Sequence, residues 1–129
     1  MKILLVEDTH ADALLFSDAL TAAGFDVSHF KDGEIFCDSL PDLAADPETR
    51  FVLVLDLVMP GMDGYEVVRE MGKVGLKIPT VLMTAQDPNF MNTFKLLTEA
   101  YEIPIVADFK KPVKIESLVD TVLAWAKNA

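Results

Sequence analysis

Several features that mark other classes of protein are scarce or missing in this sequence. Cys37 is the only cysteine among 129 residues, so no internal disulfide can form, as is usual in a reducing compartment. No apolar run approaches the ~20 residues that a membrane-spanning helix needs, and the N-terminal "MKILLVED" contains no small-residue cleavage site of a secretory signal. We therefore expect no membrane insertion and a cytoplasmic location.

Positive charge is scarce as well. The chain has 11 Lys and Arg against 21 Asp and Glu, a formal net charge of −10. A nucleic-acid surface needs clustered basic side chains to displace counterions from phosphates, so direct nucleic-acid binding is not expected. With 51% hydrophobic and 25% charged residues, the composition is that of a globular protein, and the length suits one domain over residues 1–129.

Five short apolar runs divide the chain, and a helical pattern follows each of them. The runs cover residues 3–6, 25–30, 51–55, 78–83 and 105–109. Three of them, "ILLV", "FVLVL" and "TVLM", are apolar at consecutive positions, which is typical of parallel strands covered on both faces. Five βα units with right-handed crossovers predict an α/β fold with a doubly wound, five-stranded parallel sheet of order 2-1-3-4-5.

Capping residues predict where the helices begin. A capping box at residues 9–12, Asp63 followed by Glu66, and Asp87 before Pro88 each predict a helix N-terminus. The helix after the first of these is expected to bury Ala11, Leu14, Leu15, Ala19 and Ala22 and to stop at Gly24. Residues 32–40 predict a short helix, and a longish connector is expected after it.

Acidic residues follow two of the predicted strands. Ligands of doubly wound sheets bind at the carboxyl ends of the strands beside the switch in strand order, here between the first and third strands. Glu7 and Asp8 follow the first strand and Asp56 ends the third. Glu7 and Asp8 alone are equally well explained as caps of the next helix. Three neighbouring carboxylates, however, raise each other's pKa unless a cation lies among them, and Mg²⁺ prefers such oxygen ligands.

A hydroxyl and an ammonium group are expected at the same edge of the sheet. Thr84 follows the fourth strand, and Lys110 and Lys111 follow the fifth. An aspartate nucleophile, a divalent metal, a lysine that neutralises phosphoryl oxygens and a hydroxyl that hydrogen-bonds one of them together suit the formation of an aspartyl phosphate. From the residues alone, either lysine can take this role.

Four segments resemble the receiver domain of two-component response regulators, of the chemotaxis-protein type. They are "LLVEDTHADALL", "VLVLDLVMPGMDGYEVV", "TVLMTA" and "FKKPV", and they span nearly the whole chain in the family's order. The resemblance implies a flavodoxin-like three-layer sandwich. It also implies a signalling receiver that takes a phosphoryl group from a histidine kinase or histidine phosphotransfer protein and shifts its conformation to control a downstream protein, which the sequence does not identify.

The resemblance assigns roles to the residues at the strand ends. Asp56 would be the phosphoacceptor. Asp8 and Asp56 would bind Mg²⁺ together with the backbone carbonyl of Val58, and Glu7 would act through a bound water.

Thr84 would hydrogen-bond the phosphoryl group and Lys111 would pair with it, which leaves Lys110 at the surface. A dimer through the face formed by the last two long helices and the fifth strand is a further implication. No output domain is expected in this chain.

The sequence departs from the family pattern near the fifth strand. Three residues before the lysine of Lys-Pro the family usually has Tyr or Phe, and this chain has Asp108. Phe109 should point to the opposite face of the strand, so a role for Tyr101 or a shift of register are the alternatives. The segment before the strand lacks the family's Gly-Ala step, so an atypical helix and loop are expected there.

Other functions are weighed against this one. A pseudo-receiver that binds proteins without phosphorylation is the main alternative, with Asp108 in its favour. A phosphohydrolase of the haloacid-dehalogenase kind would need an acid where Val58 stands, and flavin binding would need a phosphate-cradling first loop. The chain is therefore not expected to be a conventional enzyme, and it would at most catalyse its own Mg²⁺-dependent phosphorylation and slow dephosphorylation.

Overall fold

The predicted parallel sheet is present in the computed structural model, which describes residues 1–128. Its five strands across this range are β1 (Lys2–Val6), β2 (Asp26–Phe30), β3 (Phe51–Asp56), β4 (Thr80–Thr84) and β5 (Ile105–Lys110). All neighbouring strands are parallel, and their order is β2-β1-β3-β4-β5. The predicted doubly wound topology is confirmed, since the chain runs from β1 to β2 on one side and then crosses back to β3, β4 and β5 on the other side of β1.

Six helices within the described range cover the two faces of the sheet. They are α1 (His10–Ala22), α2 (Gly33–Asp38), α3 (Leu40–Ala44), α4 (Gly64–Lys73), α5 (Pro88–Ala100) and α6 (Ile115–Asn128). On one face α1 and α6 pack against alternate strand residues, and on the other face α2 to α5 pack against the intervening ones. The result is the expected three-layer sandwich. Within residues 1–128, none of the helices combines the length and the apolar character needed to cross a membrane.

The central strands are apolar at consecutive positions between their ends because helices cover both of their faces. Every residue of β4 is buried, as are all but the first residues of β1 and β3. Within β3, Val52 and Val54 face α1 and α6, whereas Leu53 and Leu55 face the other helix layer. Consecutive apolar residues therefore predicted these strands correctly.

Two of the predicted caps have the expected hydrogen bonds. The Asp63 carboxylate accepts from the backbone N–H of Glu66 at 3.1 Å, and the Asp87 carboxylate accepts from the N–H of Phe90 at 3.0 Å. Thr9 occupies the N-cap position of α1, but its side chain makes no capping hydrogen bond within the described part of the chain. The predicted capping box is therefore wrong at this helix, although its starting point is right.

The predicted buried face of α1 is wrong. The helix buries Ala13, Phe16 and Leu20, while Leu14 and Leu15 are 51% and 54% exposed. Apolar residues occur on every side of this helix, so periodicity did not define one face. The Phe16 ring decides which face is buried, since this large side chain belongs to the core cluster that includes residues of β1, β3 and α6.

The segment between β2 and β3 differs from its prediction in one respect. A short helix was expected followed by a connector, but two short helices occur, α2 and α3, with Ser39 between them. Pro41 lies in the first turn of α3, where a missing backbone N–H costs little. Phe36 and Leu40 anchor the pair in the core.

The loop between α5 and β5 contains a non-glycine residue in the left-handed region. The helix ends at Tyr101, and Glu102 follows with a φ of 57°. This is the left-handed position after a helix where glycine is usual. The Glu102 carboxylate pairs with the Lys77 ammonium, which joins this loop to the segment before β4.

Candidate functional site

The strand register brings the predicted site residues to one edge of the sheet. Val6 pairs with Leu55 across β1 and β3, so Glu7 and Asp56 follow side by side. Asp56 in turn pairs with Met83, the residue before Thr84. The carboxyl ends of β1, β3 and β4 thus meet where the order of strands reverses, which is the binding edge of a doubly wound sheet.

Asp56 is a buried carboxylate that accepts two hydrogen bonds. Its side chain is 4% exposed. Oδ1 accepts from the backbone N–H of Val58 at 3.2 Å, and Oδ2 accepts from Lys111 Nζ at 3.0 Å. The Leu57 N–H donates to the Met83 carbonyl at 2.9 Å and so keeps the chain on the sheet just past Asp56. Two hydrogen bonds therefore hold the buried Asp56 carboxylate at the end of β3.

Glu7 and Asp8 differ sharply in environment. The Glu7 side chain is fully buried, and Asp8 is exposed. Glu7 Oε1 accepts from Lys111 Nζ at 2.8 Å, and Oε2 accepts from the Thr9 N–H at 3.3 Å. The backbone carbonyl of Glu7 lies 2.8 Å from His29 Nε2, a contact that the sequence did not suggest.

The three acids form a compact group of oxygen donors. One carboxylate oxygen from each of Glu7, Asp8 and Asp56 lies within 4.8 Å of the other two. The ammonium of Lys111 offsets one of these three negative charges, so the group has a net formal charge of −2 with all three acids ionised. A hard divalent cation would bring this charge to zero, and carboxylate oxygens are the ligands that Mg²⁺ prefers. The residues present therefore fit the predicted metal.

Burial and hydrogen bonding within this group shift two pKa values. Burial, together with the neighbouring Asp56, raises the pKa of Glu7 from 4.5 to about 7, against the opposing effect of Lys111. Burial alone would lower the pKa of Lys111, but its hydrogen bonds to Glu7 and Asp56 outweigh burial and raise it. The lysine is thus firmly charged, whereas Glu7 keeps its proton to a higher pH than an ordinary glutamate.

Thr84 and Lys111 close the site on the side of β4 and β5. Thr84 is buried, and its Oγ1 accepts from the Gln86 N–H at 3.1 Å. Its carbonyl accepts from the Lys111 N–H at 2.9 Å, which ties the lysine backbone to the end of β4. Lys111 precedes Pro112 through a cis peptide bond. Lys110 is exposed, as the resemblance implied.

Comparison with known proteins places the chain in a family. The family model for the response regulator receiver domain matches residues 3–123. This chain belongs to that family. Receiver domains generally use Mg²⁺ in phosphorylation, and they interact with histidine kinases or phosphotransfer proteins and with downstream targets.

Relatives of two lengths match this receiver domain. Sporulation initiation phosphotransferase F of Bacillus subtilis is 26% identical over 125 residues, which cover 94% of this chain and 90% of the relative. The transcriptional regulatory protein TctD of Salmonella typhimurium is 40% identical over 90 residues, which cover 67% of this chain. The matched region spans 36% of the length of TctD, so this chain corresponds to only part of such regulators.

Solved structures agree with the fold. A response regulator from Colwellia psychrerythraea matches with a TM-score of 0.81 at 20% identity, over 99% of this chain and 98% of that one. The chemotaxis protein CheY4 of Vibrio cholerae matches with a TM-score of 0.71 at 26% identity, over 95% and 96% of the two chains.

The departure at Asp108 has a structural counterpart that the sequence did not reveal. Asp108 forms an ion pair with Lys95 of α5. Phe109 faces the opposite layer and packs with α1 and α6, as predicted from alternation along the strand. Tyr101 packs its ring against Gly72 of α4, at the end of α5 remote from Thr84. Because Lys95 and Asp108 lie on different elements, no local pattern could have paired them.

Proposed function

We propose that this receiver domain accepts a phosphoryl group on Asp56 in a Mg²⁺-dependent reaction. The donor would be a histidine kinase or a histidine phosphotransfer protein, and the phosphorylated domain would control a downstream protein through a shift in conformation. The observation that carries the proposal is the Asp56 carboxylate, held at a strand end between Lys111 and two further acids.

The acids would hold the metal. Asp8 and Asp56 would bind Mg²⁺ directly with the backbone carbonyl of Val58, and Glu7 would act through a water. When bound, the cation would neutralise charge on the phosphoryl oxygens as Asp56 attacks. The compact oxygen group and its excess negative charge support this assignment.

The transfer itself is a displacement at phosphorus. A carboxylate oxygen of Asp56 forms a bond to phosphorus while the bond from phosphorus to the imidazole nitrogen of the donor breaks. The electron pair of the broken bond stays on the imidazole, and Asp56 becomes an acyl phosphate. The protein then has to stabilise three phosphoryl oxygens in place of one carboxylate.

Lys111 and Thr84 are suited to that task. The Lys111 ammonium already donates to Asp56 and is 18% exposed, so it can follow a phosphoryl oxygen attached there. The Thr84 hydroxyl accepts the Gln86 N–H. Since an accepting hydroxyl keeps its own proton, Thr84 can donate to another phosphoryl oxygen.

The test is an intact-mass measurement after incubation with Mg²⁺ and acetyl phosphate. We expect one added phosphoryl group on the wild type, and none on Asp56→Asn or in excess EDTA. Asp63→Asn is the matched control, because a partly exposed N-cap aspartate is replaced by an equally good cap. This variant should be phosphorylated like the wild type.

Two results would contradict the proposal. A phosphoryl group on Asp56→Asn would place the acceptor elsewhere. A folded wild type that binds Mg²⁺ but gains no mass would favour a pseudo-receiver that binds partners without phosphorylation.

A further inference from the structure

Beside Thr84, the start of α5 and the end of β5 line a small open pocket. Its volume is about 160 Å³, and Thr84, Lys95, Asp108 and Lys110 are among its lining residues. Thr84 thus forms a wall shared by the proposed phosphorylation site and this pocket. A movement of Thr84 therefore alters both the proposed phosphorylation site and the pocket.

The strand register places Asp108 on the same face of the sheet as Thr84. Thr84 pairs with Lys110, and Asp108 pairs with Leu82, two positions earlier on each strand. Alternate residues of a strand share a face, and α5 covers this one. Lys95 of α5 reaches down to Asp108, and the two side chains are 42% and 40% exposed.

We propose that the Lys95–Asp108 ion pair holds α5 against β5 in the unphosphorylated domain, and that phosphorylation of Asp56 weakens it. The inference rests on the proposed function, because it needs Asp56 to be the acceptor. It gives the polar residue at position 108 a role in the conformational shift.

The backbone supplies a route from Thr84 to the ion pair. In the structure the Thr84 hydroxyl accepts from the Gln86 N–H, and Gln86 directly precedes Asp87, the N-cap of α5. If Thr84 turns toward a phosphoryl group, Gln86 loses this acceptor and the first turn of α5 is freed. Lys95 lies eight positions after Asp87 on the same helix, so a displacement of α5 moves Lys95 relative to Asp108.

Charge acts in the same direction. Conversion of the Asp56 carboxylate into an acyl phosphate adds negative charge beside Thr84. That charge repels the Asp108 carboxylate, which favours its separation from Lys95. Because both side chains are about 40% exposed, an ion pair of this kind changes an equilibrium by only about 1.4-fold to 5-fold. An interaction this weak can be broken without unfolding the helix.

Thermodynamic reciprocity predicts how loss of the ion pair changes the affinity for a phosphoryl mimic. If phosphorylation weakens the ion pair, loss of the ion pair must favour the phosphorylated conformation by the same factor. Lys95→Gln and Asp108→Asn should therefore each bind a phosphoryl mimic more tightly than the wild type, by about 1.4-fold to 5-fold.

The experiment titrates the full chain with beryllofluoride in the presence of Mg²⁺ and follows binding by amide NMR. Both single variants should gain affinity at low salt, and the gain should shrink in 1 M NaCl, where exposed charges are screened. The charge-swapped variant Lys95→Asp/Asp108→Lys should return toward the wild-type affinity. If the variants merely loosened α5, their gain in beryllofluoride affinity would not depend on salt and would not be reversed by the charge swap.

Lys77→Gln serves as the matched control. Lys77 forms an exposed ion pair with Glu102 at the other end of α5, so its loss should leave beryllofluoride affinity unchanged. If Lys95→Gln and Asp108→Asn bind like the wild type or more weakly, or if the swap fails to restore affinity, the inference is overturned. A wild type that binds Mg²⁺ but no beryllofluoride would instead reject the proposed phosphorylation at Asp56.

Discussion

The buried carboxylate of Glu7 should make the metal-free protein less stable as the pH rises. Glu7 shares one ammonium with Asp56 and is fully buried. Its pKa is about 7 in the folded protein, raised by burial and by Asp56 from an ordinary value of 4.5. In the unfolded chain the pKa returns to that ordinary value, so the two states bind protons differently between these pH values.

The sign and size of the effect follow from proton linkage. Between pH 4.5 and about 7 the folded protein holds a proton on Glu7 that the unfolded chain has released, so the free energy of unfolding falls as the pH rises. Below this window Glu7 contributes no penalty, and above it the penalty is complete. One pKa unit corresponds to ~1.4 kcal/mol, so we expect a loss of about 1 to 3 kcal/mol.

The assay compares wild type with Glu7→Gln by urea unfolding in EDTA at pH 5 and pH 8. Glutamine keeps an acceptor oxygen for Lys111 or for the Thr9 N–H but has no charge to bury. The difference in unfolding free energy between the proteins should shift by about 1 to 3 kcal/mol in favour of the variant at pH 8. Since titrating groups remote from Glu7 affect both proteins alike, this comparison isolates Glu7 together with its partners Asp56 and Lys111.

Addition of Mg²⁺ supplies the second half of this experiment. A cation among deprotonated acids removes their repulsion, and binding to the folded state alone stabilises it. Mg²⁺ should therefore stabilise the wild type more at pH 8 than at pH 5. A difference between wild type and Glu7→Gln that is independent of pH in EDTA, or that changes in favour of the wild type at pH 8, would refute the reasoning.

Three further predictions concern single residues. Glu102→Gly should raise the free energy of unfolding, measured in urea, by about 0.5 to 1 kcal/mol. Glycine adopts the left-handed φ of 57° without strain, and this gain exceeds the loss of the exposed ion pair with Lys77. A decrease in the unfolding free energy of more than about 1 kcal/mol would contradict this. Burial and nearby acids raise the pKa of Cys37 to about 11, so the native thiol should react with a disulfide reagent at pH 7.5 at least about tenfold more slowly than in urea. Equal rates would show that the thiol is accessible. Val58→Asn should shorten the lifetime of the aspartyl phosphate several-fold in a radiolabel-decay assay, since a side-chain amide beside Asp56 can orient an attacking water that valine cannot. A wild-type phosphate lost within seconds would contradict slow dephosphorylation.

The sheet could be predicted because its physics is local in sequence. A strand covered on both faces must be apolar at consecutive positions, and the runs in β1, β3 and β4 met that condition. Helix α1 could not be oriented in the same way, because Leu14 and Leu15 are as apolar as the buried Phe16. Only the fit of the ring into the core distinguishes them, and that fit depends on elements distant in sequence.

Only part of the site could likewise be predicted from the sequence. Glu7, Asp56 and Thr84 could be placed together because parallel strands end at one edge of the sheet. The choice of Lys111 over Lys110 came from the resemblance, and the structure orients the two lysines differently: Lys110 is exposed and Lys111 reaches the acids.

The costs of possible movements indicate where a conformational shift would occur. Release of the Gln86 N–H by Thr84 costs about 0.5 to 1.5 kcal/mol, as for a typical hydrogen bond, and separation of Lys95 from Asp108 costs about 0.2 to 1 kcal/mol. Removing Phe94 from the core, where it is fully buried, would cost about 3 to 5 kcal/mol, as for its truncation. A phosphoryl group can supply only a few kcal/mol of differential interaction. The start of α5 and its polar contacts to β5 should therefore move, while Phe94 keeps the inner face of the helix in place.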